Sequence, residues 1–399
     1  MRFRHKIVKE YQRIYQIQEE IILKKLQTIM DHIEPYKKYL KNGNYRFVTH
    51  PKELLIIQDR TNRNFLKKLE KQLFIRKSSS SESKIKLRLF LFFKQIILKK
   101  MRNDILKRNE VTLYTDNKDS FQGSLLMNMH GQHQFKIFDF THSQTLTVGI
   151  KKDELKELSS YHNLFFDYFS TPIKEINVEE QLIYEDIITT VPYANWSYDE
   201  ANLVIIEMFS SYTKYLKNLN KNYIKEKSLE NIIASKLHKS QVKFFKRLAK
   251  SHLNNLWDKP QLLVPAHGDL YFSNILKSEV SGKHYLIDYE HANDYVFYFD
   301  CMWTLLSPFI IMDDDTYLIN YLKGDYDSLF IELFSSLDET FELKYRDQYL
   351  IVSLIYANGI RDTYDLYLNI KLNNKDLLKS IEEQFEKVKT LSSLYPIKF

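Results

Sequence analysis

The sequence predicts a bilobal α+β protein: a small five-stranded β lobe with one helix, then a larger helical lobe, with a basic helical region ahead of both. Three observations carry this. Apolar residues recur at helical spacing towards both ends of the 399-residue chain, short β-like runs cluster between residues 124 and 187, and charge is unevenly distributed. Residues 1–110 hold 28 basic and 11 acidic side chains, net +17, whereas residues 111–399 hold 30 basic and 40 acidic, net −10. The formal +7 hides two regions, only one of which suits an anionic surface.

Residues 1–77 read as mostly helical, from positions such as Ile14, Ile17, Ile21, Ile22 and Leu26, and the serine-rich stretch to Ser83 reads as a connector that closes a first region, 1–83. Residues 84–110 form a basic amphipathic segment. It reads first as a core-packing helix with solvated lysines and second as a segment lying on an anionic membrane surface. From 111 to 188 the texture is that of the small lobe. Strand candidates lie at 124–129, 135–140 and 145–150, then a helix from Lys151 to Phe169, then strands at 173–176 and 182–187. Residues 189–399 read as the helical lobe, with helices expected at 198–219, 228–255, 301–311, 316–335, 339–369 and 373–392, interrupted by an irregular catalytic-loop region within 265–300.

Composition excludes several function classes. The single Cys301 rules out a disulfide framework and a thiolate metal site, and fits a reducing compartment. No stretch reaches the ~18 uninterrupted apolar residues of a membrane span, and the charged start Met1-Arg2-Phe3-Arg4-His5-Lys6 is not a secretory core. The expectation is a cytoplasmic protein, peripheral at the membrane inner face if the basic region binds lipid. The eight glycines never fall closer than eight apart, which excludes both the G-x-G-x-x-G and the G-x-x-x-x-G-K-[ST] phosphate loops.

The chemistry concentrates in His267-Gly268-Asp269-Leu270-Tyr271-Phe272-Ser273-Asn274-Ile275-Leu276 and, after a turn at Ser281-Gly282, Leu286-Ile287-Asp288-Tyr289-Glu290. Phosphoryl transfer to an alcohol needs a carboxylate at the hydroxyl and oxygen ligands for Mg²⁺ on the nucleotide phosphates. Asp269 and Asn274 stand five apart, the interval of the kinase catalytic loop H-R-D-x-x-x-x-N. Leu270, Ile275 and Leu276 can anchor that loop, and Asp288 ends a short apolar strand.

On these motifs, with Tyr298-Phe299-Asp300 downstream, the sequence resembles the protein-kinase-like phosphotransferases of the aminoglycoside phosphotransferase and choline kinase superfamily, over about residues 111–399. The H-G-D form is closer to the aminoglycoside and sugar kinase-like branches than to choline kinases. The resemblance implies a protein-kinase-like fold and the cofactors ATP and Mg²⁺. It implies Asp269 as catalytic base or hydroxyl-orienting group, Asn274 and Asp288 as Mg²⁺ ligands, and His267 as a brace of the loop. Asp300 would hydrogen-bond the loop backbone, Glu290 would make a further metal or loop contact, and backbone groups of Glu185, Asp186 and Ile187 would meet adenine. Two lysines compete for the phosphates. Lys151 follows Val148-Gly149-Ile150, with Glu157 as helix partner and Glu154 as fallback; Lys136 lies inside the second strand. Gly131 would be the one glycine at the first hairpin tip.

The function expected is transfer of the γ-phosphoryl group to a hydroxyl of a small molecule: an amino sugar, a sugar or polyol, or an amino alcohol, with a cell-envelope precursor among the candidates. The partners are then a nucleotide and a small-molecule acceptor, with an anionic membrane surface for the basic region, no specific nucleic acid and an open oligomeric state. Two alternatives stand beside it. One is a catalytically degenerate kinase-fold binding or scaffold protein. The other is a metal-dependent glycosyltransferase using Asp313 and Asp315.

Overall fold

The structure, a computed structural model, describes residues 15–16, 19–20, 23–24, 27, 30–49, 54–58, 111–114, 121–128, 134–236, 242–247, 253, 256, 259–360 and 375–395. The chain divides into two compact units, Met1–Lys156 with Pro172–Ile188, and Glu157–Thr171 with Thr189–Phe399. The serine-rich connector, the basic amphipathic segment and Gly131 lie outside the described residues.

The first unit is built on β1 (Gly43–Thr49), β2 (Leu54–Gln58), β3 (Val111–Leu113), β4 (Leu125–Asn128), β5 (Phe135–Asp139), β6 (Gln144–Val148), β7 (Ile173–Asn177) and β8 (Leu182–Asp186). Helix α1 (Lys152–Phe165) lies between β6 and β7 in sequence and passes into the second unit after its first residues. The strands form one antiparallel sheet in the order β3-β1-β2-β4-β5-β6-β8-β7.

The sheet therefore has eight strands where the sequence reading expected five, and residues 43–49 and 54–58 are strands where it expected helix. Tyr45-Arg46-Phe47-Val48 and Leu54-Leu55-Ile56-Ile57, on either side of Pro51, are rich in β-branched and aromatic residues. β2 pairs along the edge of β4, which would otherwise lack partners, and β1 pairs with the far side of β2. Ile33, Tyr39, Leu40 and Tyr45 are buried in one core with Leu126, Phe135, Ile137, Leu146, Val148 and Leu182. The described part of the basic N-terminal region thus helps to build the small unit. Strand alternation puts Phe135 and Ile137 of β5 on this core face and Lys136 and Phe138 on the other.

The β5–β6 hairpin is closed by Asp139, whose fully buried carboxylate accepts the backbone N–H groups of Gln122 (2.7 Å), Thr141 (2.9 Å) and His142 (3.2 Å) and contacts His142 Nδ1 (2.7 Å). Burial alone would raise its carboxyl, but these hydrogen bonds outweigh it and hold the group below its ordinary range.

The second unit comprises β9 (Thr190–Val191), α2 (Tyr198–Asn218), β10 (Lys225–Ser228), α3 (Leu229–Lys236), β11 (Pro260–Ala266), β12 (Ile275–Ser278), β13 (His284–Leu286), β14 (Asn293–Val296), α4 (Phe299–Met312), α5 (Thr316–Lys323), α6 (Asp327–Ser335), α7 (Arg346–Ile355) and α8 (Lys375–Leu394). Its strands form two small sheets, β10-β11-β14 and β13-β12-β9. Helix α2 starts at a capping box in which Ser197 and Glu200 bond each other's backbone N–H. It then buries Val204, Ile205, Met208, Phe209, Tyr212, Tyr215 and Leu216 at helical spacing.

Three expected helices differ. The stretch 316–335 is two helices, because Gly324 (φ +95°) takes the left-handed turn that ends α5; its N–H donates to Tyr321 O and the Asp325 N–H to Asn320 O. The helix expected from 228 begins after strand β10. The one expected from 339 begins at Arg346 and widens into a looser helical turn over Tyr356–Ile360.

Candidate active site

Strand β11 delivers the loop. Beyond Ala266, whose register partner is Asn293 of β14, the backbone turns at Gly268 with φ +76°. A Cβ there would lie 2.2 Å from His291 O and 2.7 Å from a ring carbon of Tyr295, so only glycine fits. The turn is held from within α4. Asp300, fully buried, accepts the backbone N–H of His267 at 2.7 Å and of Gly268 at 2.8 Å. One turn further along α4, the Thr304 hydroxyl lies 2.8 Å from Leu270 O and 3.0 Å from Asp300 O. Tyr215 of α2 donates its hydroxyl to Pro265 O at 2.7 Å; burial first, and the Asp300 carboxylate second, push that phenol far up.

His267 is 1% exposed and both ring nitrogens are engaged. Nδ1 accepts the Asp269 N–H at 3.2 Å and Nε2 donates to Ile287 O at 3.0 Å, a pattern that fits the neutral Nε2-protonated ring. Its geometry is that of a brace, with no nitrogen left over for proton transfer.

Asp269 is buried, 5% exposed, and its carboxylate is oriented from two sides. The Trp303 indole N–H donates to Oδ1 at 3.0 Å, and the Asn274 amide N–H donates to Oδ2 at 3.0 Å and to the Asp269 carbonyl at 3.0 Å. With its nitrogen committed, Asn274 turns its Oδ1 away from Asp269; the nearest donor to that oxygen is Ser273 Oγ at 3.4 Å. The hairpin β12–β13 then leads the chain to Asp288. Ile275 pairs with Leu286, the Ile287 N–H donates to Asn274 O at 3.0 Å, and the Ile287 carbonyl receives His267. The residue before Asp288 is thus pinned to both His267 and Asn274. Asp288 itself is exposed and sits in the left-handed region (φ +69°, ψ +63°), a conformation that costs a non-glycine residue ~1–3 kcal/mol and that Asp tolerates better than most.

These residues suit a hard divalent cation. Mg²⁺ is usually held by one or two protein groups, the rest of its shell being phosphate and water oxygens. An exposed carboxylate at 288 and an amide oxygen at 274, both on the hairpin end, are oxygen donors of that type. No cluster of three or more His, Cys, Asp or Glu side chains placed to hold a metal occurs among the described residues. Of the two carboxylates in the glycosyltransferase reading, Asp313 pairs with Lys387 at 3.0 Å and Asp315 stands immediately before α5.

The remaining expected residues are distributed differently. Glu290 lies in the turn Tyr289–His291, and its side chain lies outside the described residues. Lys151 has an 84% exposed side chain and pairs with Glu154 at 3.3 Å across the first turn of α1. Glu157, exposed and six residues from Lys151, falls outside the three- and four-residue spacing at which helical side chains meet, whereas Glu154 falls within it. Lys136, by contrast, pairs with Glu185 at 2.5 Å. Two N–H groups of the proposed adenine contact have partners within the first unit. Asp186 donates its N–H to Pro172 O and Ile187 its N–H to Ser143 O, both at 2.8 Å, and the Asp186 carboxylate pairs with Lys174 at 2.6 Å. Glu185 lies within the β6–β8 ladder opposite Thr145. The 186 and 187 N–H groups are thus engaged within the first unit.

Sequence reasoning missed Trp303, Thr304, Tyr215 and Tyr289, whose ring lies 4.8 Å from that of His267. Trp303 and Thr304 carried a signal, standing three and four residues after Asp300 on the same helix. Tyr215 carried none, because its contact is made across a long stretch of chain.

No protein-family model matches the chain, and no curated protein matches it. Among solved structures it is similar to an aminoglycoside 2'-phosphotransferase in complex with GDP, at 11% identity over 66% of this chain and 91% of that one, TM-score 0.42. It is similar to a choline/ethanolamine kinase family protein from Mesorhizobium loti at 11% identity over 67% and 87%, TM-score 0.39. A choline kinase from Streptococcus pneumoniae matches at 15% identity over 67% and 92%, TM-score 0.37. The structural neighbours of this chain thus include small-molecule kinases and phosphotransferases.

Proposed function

We propose that the protein is an ATP- and Mg²⁺-dependent phosphotransferase that moves the γ-phosphoryl group to a hydroxyl of a small molecule. The observation that carries this is the oriented carboxylate of Asp269. It is buried, held by Trp303 and Asn274, and fixed to the same hairpin end that presents Asp288. A carboxylate locked in this way can accept the hydroxyl proton as the acceptor oxygen attacks, because its reorientation cost has been met on folding. Asn274 Oδ1 and Asp288 would hold Mg²⁺, which supplies neutralisation of the phosphate charge. His267 and Asp300 keep the loop backbone still, and neither exchanges a proton.

The test is ADP release by the full chain with Mg²⁺ and ATP across amino sugars, polyols, amino alcohols and lipid-linked sugars. Acceptor-dependent turnover that is abolished in Asp288→Ala and reduced ~10²-fold or more in Asp269→Asn supports the reading. Nucleotide binding without turnover for any acceptor would favour the degenerate binding protein. Undiminished turnover in both variants would place the chemistry elsewhere.

A further inference from the structure

We propose that the solvent-facing side of α2 is a docking surface for a second copy of this chain, the two α2 helices lying antiparallel across a two-fold axis. The proposal is independent of the phosphotransferase reading. Asp199, Leu203, Ile206, Ser210, Lys214 and Lys217 follow one another along α2 at spacings of three and four residues, so they share one face, and all are exposed. Leu203 is 64% exposed and Ile206 48%. The face is thus acidic at its start, apolar towards its middle and basic at its end. Helix α6 packs against α2, with Tyr326 just ahead of it donating to Asn202 Oδ1 at 2.7 Å and Phe330 meeting Phe209 at 5.1 Å between ring centres. It carries a further exposed apolar side chain, Ile331.

The outer side of an amphipathic helix is ordinarily polar, and a single exposed apolar residue needs no explanation. Two of them one turn apart, flanked by unpaired charges of opposite sign, mark a surface that meets something. Among the described residues, the side chains of Asp199, Lys214 and Lys217 have no hydrogen-bond or ion-pair partner. The neighbouring acids are engaged: Glu200 holds Lys277 at 2.6 Å, and Glu207 lies 2.6 Å from His284 Nδ1. Acid at the start of a helix and base at its end also suit the helix dipole, but that effect is confined to the terminal turns. It does not account for Leu203 and Ile206, and Lys214 stands a full turn before the helix end at Asn218.

A face that runs from acid through apolar to base is complementary to itself reversed, the requirement of a two-fold contact. With the axis between residues 206 and 207, Asp199 lies opposite the partner's Lys214, Lys214 opposite the partner's Asp199, and the apolar side chains of both copies meet between them. An anionic lipid surface would suit the lysines and repel Asp199, and a neutral apolar partner would leave both ends unpaired. A second copy satisfies the whole face. The strip from Asp199 to Lys214 is ~22 Å long, at the low end of interface sizes, so a dimer that dissociates at ~10 µM is expected.

The test is sedimentation velocity on the full chain from ~1 to ~100 µM, with thermal melting as the folding check. The wild type is expected to pass from monomer to dimer across this range. Ile206→Glu, Asp199→Lys and Lys214→Asp should each weaken association ~tenfold or more. Leu203→Ser, at the more exposed position, covers the case in which Ile206→Glu does not fold. Mixed in equal amounts, Asp199→Lys and Lys214→Asp should associate within about threefold of the wild type, because each copy then meets its opposite charge at both ends. A wild type that stays monomeric throughout overturns the proposal, as does a dimer that none of these variants weakens. Single variants that dissociate and stay apart on mixing overturn the antiparallel pairing. Species that grow beyond the dimer overturn the two-fold closure.

Discussion

Trp303 donates its indole N–H to Asp269 Oδ1 at 3.0 Å, so the first turns of α4 reach the carboxylate proposed to handle the acceptor proton as well as the backbone that carries it. The helix binds the loop at both ends: Asp300 at the turn, Trp303 at the side chain. Its face is buried almost throughout, which leaves the indole little freedom to turn away.

Trp303→Phe keeps an aromatic ring, though a smaller one, and deletes the donor. A charge-assisted hydrogen bond is worth ~1.5–3 kcal/mol, and losing half of that orientation in the transition state costs about tenfold in kcat. Steady-state kinetics should show this fall with ADP affinity changed less than twofold. An equal loss in both would mean the residue supports the fold and not the carboxylate.

Asp300→Asn replaces two anionic acceptors by one oxygen and an NH₂ group that would face a backbone donor. The two N–H bonds at His267 and Gly268 cannot both be kept. Unfolding in urea should show a loss of about 3 kcal/mol, and turnover should fall more than tenfold.

Gly268→Ala forces a side chain into φ +76° and against His291 O. The left-handed conformation costs ~1–2 kcal/mol, and the overlap must be relieved by moving β14 or the loop. A destabilisation of about 3 kcal/mol or more is expected by denaturant titration, with activity lost even where the protein remains folded.

Glu200 ties the start of α2 to strand β12 through Lys277 at 2.6 Å and caps its own helix through the Ser197 N–H at 2.8 Å. The Lys277 hydrogen bond, then the Ser197 backbone, hold this carboxyl down at about 2 from its ordinary 4.5. A depressed folded-state value means the contribution is present above about 4.5 and fades as pH falls towards about 2. Glu200→Gln should therefore lower the urea midpoint at neutral pH. The gap from the wild type should narrow steadily as unfolding is repeated below pH 4.5. A gap independent of pH would remove the ion pair from the account.

The candidate site was readable where the chemistry is local. His267, Gly268, Asp269 and Asn274 fall within eight positions, and a left-handed turn, a loop anchored by apolar neighbours and a five-residue return are all short-range demands. Asp288 was readable because one short hairpin carries it back to Asn274. Asp300 stood close enough to Tyr298 and Phe299 to be singled out, although only the coordinates show that it holds two N–H groups. The choice between Lys136 and Lys151 was not readable. Their sequence neighbourhoods are equally plausible, and the difference is a carboxylate delivered by β8 across the sheet.

By itself, then, the sequence determined the order of the strands from β4 to β8 in the chain, the helices with clear 3.6-residue periodicity, and the loop with its neighbouring aspartates. Each of these follows from propensity, turn chemistry and spacing within a few residues. Tertiary structure decided the rest: that residues 54–58 pair with β4 and residues 43–49 with β2, that the N–H groups of 186 and 187 are taken up within the first unit, and that Glu185 faces Lys136. The reason is that sheet edges and buried charges find partners through space, and a strand's hydrogen-bond partner leaves no mark on the residues adjacent to it in sequence.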